Sequence, residues 1–115
     1  MAKRGWAVAA EAGKALLDRS DVALVDLREG GERQRHGEIP GALHVPYQDL
    51  QEGIRPGGAL HELAAATGKR LVFFCAFGER SAMAVQAAQD AGLGSACHIE
   101  GGMGAWKRVG GPVAR

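Results

Sequence analysis

The chain has 115 residues, 46% of them hydrophobic, with a formal net charge of +1. That length suits one domain over residues 1–115 with a core that folds without staples; the composition argues against disorder, the balanced charge against a nucleic-acid partner, and the lack of a long apolar run against a membrane span. Two cysteines make no disulfide framework and read as free thiols, and the apolar run after the basic start is too short for a signal peptide, so the cytoplasm is the expected compartment.

Residues 10–18 carry Leu16 and Leu17 among good helix formers and predict a first helix. Residues 22–27 are apolar without alternation, the pattern of a strand covered on both faces. A short polar helix over 28–36 and a turn at Gly37-Glu38-Ile39-Pro40-Gly41 follow. Residues 42–45 form a brief strand stopped by Pro46, and 47–58 a loop with one helical turn. A helix over 61–67 ends at Gly68, and residues 71–74 form the central strand. The next helix covers 81–91, with Ala82, Val85 and Ala88 on one face and Gln86, Gln89 and Asp90 on the other. A last strand at 96–99 and a short helix at 103–109 complete the chain. Alternating strands and helices predict an α/β fold with a parallel sheet, whose ligands sit beyond the carboxyl ends of the strands.

Cys75 falls at such an end. The run Cys75-Ala76-Phe77-Gly78-Glu79-Arg80-Ser81 places a thiol after a buried strand and at the foot of a helix. Loop amides and the positive end of the helix dipole favour anions there, and thiolate over thiol. The pattern is that of an activated nucleophile in an anion cradle formed by Ala76, Phe77, Gly78, Glu79, Arg80 and Ser81. Arg80 supplies a positive charge beside it, and Ser81 either caps the helix or donates to the sulfur.

Four motifs in order resemble the rhodanese family over residues 6–113: Val25-Asp26-Leu27-Arg28-Glu29, the stretch from Gly37 to Pro46, the cysteine loop, and Glu100-Gly101-Gly102-Met103-Gly104-Ala105-Trp106. The resemblance implies a five-stranded parallel sheet flanked by helices on both faces. It also implies a sulfurtransferase working by double displacement: Cys75 takes a sulfane sulfur from thiosulfate or another persulfide donor, holds it as a persulfide, and passes it to a thiol or cyanide. No metal or organic cofactor is required by that scheme. A protein donor or acceptor is an open alternative, with the chain then a sulfur carrier or interaction module. A phosphatase or arsenate reductase of related fold is another. Four residues separate Cys75 from Arg80, one fewer than in tyrosine phosphatases, and a tighter ring of amides suits a single sulfur better than a tetrahedral oxyanion.

Asp26 and Arg28 read on their own as a strand-end ion pair; the resemblance implies instead that Asp26 supports the Arg80 side of the loop and that Arg28 orients a neighbouring loop. Glu38 stands where many rhodaneses carry histidine. Cys97, mid-strand with no arginine after it, reads as a core residue, with a resolving thiol the alternative. His36, His44, His61 and His98 lack metal-ligand spacing; His44 reads as packing or hydrogen-bonding locally and the other three as exposed or structural. Trp106 reads as the core anchor of the last helix.

Overall fold

A computed structural model describes residues 7–17 and 19–114. The basic start and Asp18, the expected end of the first helix, lie outside the described residues. The helix itself is α1, Ala10–Leu16.

Five parallel strands form one sheet: β1 (Ala7–Val8), β2 (Val22–Asp26), β3 (Leu43–His44), β4 (Arg70–Phe74) and β5 (Cys97–Ile99), in the order β1-β5-β4-β2-β3. The expected parallel α/β sheet is therefore present. β1 was not legible as a strand: it is two residues long and held only by its register with His98 and Ile99.

The remaining helices are α2 (Gly30–His36), α3 (Leu50–Ile54), α4 (Ala59–Thr67), α5 (Glu79–Asp90) and α6 (Gly102–Arg108), with a single 3-10 turn at Tyr47–Asp49 before α3. They cover both faces of the sheet. On one, Val25, Leu71 and Phe73 pack with Leu50 and Ile54 of α3, Leu60 of α4 and Val85 of α5. On the other, Leu24, Val72 and Phe74 pack with Ala10 of α1 and with Met103 and Trp106 of α6. β2 and β4 have no polar alternation because both their faces are buried. No helix among the described residues is long and apolar enough to cross a membrane.

Two boundaries differ from the sequence reading in ways that matter for the site. Arg28 is not helical; it precedes α2 and its side chain is buried. α5 begins two residues early, at Glu79, with Ser81 turned inward. Its buried stripe is consequently Ser81, Ala84, Val85 and Ala88, at the i, i+3, i+4, i+7 spacing, and Ala82 is exposed rather than on the core face.

Candidate active site

β4 delivers Cys75 to the carboxyl edge of the sheet, fully buried at the entrance to α5. Gly78 then adopts φ +119°, a left-handed conformation that side chains resist, which folds the loop back over the sulfur. As a result the Gly78 N–H donates to Cys75 Sγ at 3.1 Å, and the Ser81 N–H, from the first turn of α5, donates at 3.4 Å. First-turn amides have no partner inside a helix, so this donor is available to an anion and lies at the positive end of the α5 dipole. Of the expected cradle amides, these two meet the sulfur itself.

The loop is braced from outside by α6. The Met103 N–H donates to the Cys75 carbonyl (2.8 Å) and the Gly104 N–H to the Ala76 carbonyl (3.1 Å). This approach needs Gly102: a Cβ there would collide with the Cys75 carbonyl oxygen and the Ala76 backbone. The glycine pair before Trp106 is thus part of the loop's support. Trp106 is fully buried and donates its Nε1–H to the Pro112 carbonyl at 2.9 Å.

Around the sulfur, the side chains divide. The Ser81 hydroxyl lies 3.7 Å from Sγ and the exposed Glu79 carboxylate 3.8 Å. Glu79 accepts from the thiol but repels a thiolate. Phe77 is 73% exposed, an apolar rim to the site. Beside it runs a cleft of about 200 Å³ lined by Glu32, His36, Ala76, Phe77, Gly104 and Lys107, among others.

Arg80 does not pair with Asp26, as the resemblance had implied. Its guanidinium makes a two-pronged contact with Glu32 of α2, Nη1 to Oε1 at 2.9 Å and Nη2 to Oε2 at 3.0 Å. The Arg80 hydrogen bonds, against some desolvation, pull the Glu32 carboxyl down to about 2. Arg80 is correspondingly raised, by Glu32 first and by the nearby Cys75 and Glu79 charges as well. Asp26 has other partners. Its carboxylate is fully buried and accepts from the Arg28 backbone N–H (3.0 Å), Nε (3.0 Å) and Nη2 (2.9 Å), with Arg33 Nε 3.3 Å away. The Asp26 carboxylate is thus held by Arg28, two residues on, and by Arg33 of α2.

Arg28 also donates from Nη2 to the Gly37 carbonyl (2.8 Å), tying the end of β2 to the turn that follows α2. Glu38, the departure from the family's histidine, pairs with Arg33 at 2.6 Å. His44 Nε2 sits 2.7 Å from the Arg28 carbonyl. Cys97 is buried on the sheet face opposite Cys75, and burial pushes its thiol up. Among the described residues, no cluster of three or more His, Cys, Asp or Glu could hold a metal.

Two residues close to the site take roles that the sequence reading did not assign them. Glu32 is one; the Glu29-x-x-Glu32 spacing of a capping box was its available signal, and both bonds of that box are present. His98 is the other, with Nδ1 2.9 Å from the Ser81 hydroxyl.

The rhodanese-like domain family profile matches residues 9–109. A mouse protein, thiosulfate sulfurtransferase/rhodanese-like domain-containing protein 3, is 32% identical over 98 residues, covering 81% of this chain and 62% of its own length, so the chain spans less than two thirds of that relative. The human thiosulfate:glutathione sulfurtransferase is 30% identical over 99 residues, covering 81% of this chain and 85% of the human protein. A solved structure from Rhodopseudomonas palustris, of a protein of unknown function described as a possible tyrosine phosphatase, matches with a TM-score of 0.84 at 39% identity, over 93% of this chain and 83% of that one. The profile match, the parallel sheet and the cysteine loop at its carboxyl edge agree: the chain belongs to the rhodanese-like domain family.

Proposed function

We propose that this chain is a sulfurtransferase that moves a sulfane sulfur through a persulfide on Cys75, with thiosulfate as a donor and a thiol or cyanide as acceptor. The observation that carries the reading is a buried strand-end sulfur accepting two backbone N–H groups, from Gly78 and Ser81, in a loop with four residues before Arg80. The names of the mouse and human relatives support the same class of reaction and the same donor.

In the first step the Cys75 thiolate attacks the outer sulfur of thiosulfate. An S–S bond forms as the bond to the sulfonate breaks, and sulfite leaves with the electron pair. Cys75 then carries a persulfide anion, which the Gly78 and Ser81 amides and the α5 dipole stabilise. In the second step the acceptor attacks the terminal sulfur, giving thiocyanate or a new persulfide and returning the Cys75 thiolate. Splitting the transfer in two is covalent catalysis, and no redox partner is needed. The free, buried thiols Cys75 and Cys97 fit a reducing compartment, in keeping with the cytoplasm.

Steady-state kinetics with thiosulfate and cyanide test this. Parallel double-reciprocal lines are expected, the pattern of two half-reactions on one enzyme. The description of the Rhodopseudomonas palustris neighbour keeps a phosphatase reading in view. Turnover of a chromogenic phosphate ester, with no thiocyanate formed from thiosulfate and cyanide, would replace the sulfurtransferase reading with that one. Loading by a persulfidated protein but not by thiosulfate would make the chain a sulfur carrier instead.

A further inference from the structure

The buried Ser81 hydroxyl lies at the centre of a small network that reaches the half-buried His98. It is 3.1 Å from the Gly78 carbonyl, 3.7 Å from Cys75 Sγ and 2.9 Å from His98 Nδ1. His98 gets there by strand alternation. Cys97 and Ile99 pack on the α1–α6 face of the sheet, so the residue between them points to the α5 face, in register with Phe73 of β4, two residues before Cys75.

A hydroxyl has one proton to donate and three neighbours here that can accept it. If Nδ1 is bare, the imidazole takes that proton. The sulfur then has only its two amides. If Nδ1 carries hydrogen, it donates to Oγ, and the hydroxyl proton is released toward the sulfur or the Gly78 carbonyl. A hydrogen on Nδ1 is therefore what frees the hydroxyl to serve as a third donor to the Cys75 thiolate, in competition with the Gly78 carbonyl.

We propose that His98 is a positioning residue for the Cys75 sulfur, acting through the Ser81 hydroxyl to supply that third hydrogen bond to the thiolate and to the persulfide that follows it. The activity part of this inference rests on the sulfurtransferase reading; the effect on Cys75 reactivity does not. The neighbouring strands present Ala7 and Phe73 to His98, neither titratable, and α5 presents Ser81. Glu100, just beyond β5, is the charged group that acts on the ring. Burial holds the imidazole below its ordinary range, with Glu100 opposing, so at neutral pH the ring is uncharged and its tautomer sets the hydroxyl.

The test uses four variants on a Cys97→Ala background, which leaves Cys75 as the single thiol: His98→Leu, His98→Asn, Ser81→Ala and the Leu/Ala double. Each is checked for fold by circular dichroism. Iodoacetamide alkylation is followed against pH, and kcat and KM for thiosulfate are measured separately. His98→Leu should alkylate roughly threefold to tenfold more slowly at neutral pH, the scale of one lost hydrogen bond to a charged sulfur. It should lower kcat more than it raises KM. Ser81→Ala should do the same, and the double variant should be no worse than Ser81→Ala alone. His98→Asn places an amide N–H near the Nδ1 position and should recover most of the rate. The proposal is overturned if His98→Leu leaves the alkylation profile unchanged, if its effect persists in full without the Ser81 hydroxyl, or if His98→Asn behaves as His98→Leu. Alkylation that shifts as expected in a protein that transfers no sulfur would overturn the proposed function and leave the role of His98 standing.

Discussion

Arg80 and Glu32, 48 residues apart in the chain, face each other through two charge-assisted hydrogen bonds of 2.9 and 3.0 Å and join the start of α5 to the start of α2. The cation expected to serve the sulfur is therefore already neutralised by a carboxylate. The donors that meet Cys75 Sγ itself are the backbone amides of Gly78 and Ser81, at the positive end of the α5 dipole.

This pair gives the fold an acid-labile contact. The Glu32 carboxyl falls from an ordinary 4.5 to about 2 in the folded protein. A depressed carboxyl stabilises the fold fully above its unfolded value, and the contribution drains away as pH falls from about 4.5 toward 2. Because both side chains are partly exposed, the contribution is about 1 kcal/mol. Glu32→Gln should lower the melting temperature at neutral pH and flatten the pH dependence in that acid window. Equal loss at pH 3 and pH 7 would show that the pair contributes nothing through ionisation.

Arg80 matters here as a clamp. Lysine keeps the charge but cannot hold both Glu32 oxygens through a planar fork. Arg80→Lys should lower thiosulfate turnover and Arg80→Ala should lower it further, with iodoacetamide alkylation of Cys75 slowing in the same order. Alanine with wild-type turnover and alkylation would leave the loop to its amides and to α6 alone.

Glu79 works against the thiolate. Its carboxylate is 3.8 Å from Sγ, and two like charges at that separation cost about 1 kcal/mol in a water-like dielectric. Glu79→Gln should raise the neutral-pH alkylation rate and the kcat/KM for thiosulfate by about fivefold, with the gain shrinking as salt is added. A slower Glu79→Gln variant would instead identify the carboxylate as a proton acceptor that the reaction uses.

Cys97 is the control thiol. It is buried on the other face of the sheet from Cys75, and burial raises it. Cys97→Ala should keep the transfer rate and lose about 1–2 kcal/mol of stability in denaturant titration. A large drop in turnover with an intact fold would make it a second reacting thiol.

What the sequence made legible is what local pattern encodes. β2 and β4 are doubly buried and read as unbroken apolar runs; Cys75 and Gly78 stand out because a strand end, a thiol and a glycine fall together. β1 is two residues long and exists only through pairing with β5. For Asp26 the local reading holds: the strand-end ion pair with Arg28, two residues on, is present, the link to Arg80 implied by the resemblance is not, and Arg33 joins only through the approach of α2. The site roles of Glu32 and His98 are not legible in sequence because they depend on how α2 approaches α5 and on the register of β5 against β4. Neither distance is written in any short window of residues.

The most direct measurement is the intact mass of the protein after incubation with thiosulfate, run on the wild type, Cys75→Ser and Cys97→Ala. The wild type and Cys97→Ala should each gain one sulfur atom and lose it on addition of cyanide, with thiocyanate released. Cys75→Ser should gain none while keeping its fold, since an alkoxide forms far less readily than a thiolate. A sulfur adduct on Cys75→Ser, or its absence from the wild type with thiosulfate and with every persulfide donor tried, would contradict the assignment of Cys75 as the sulfur-carrying nucleophile.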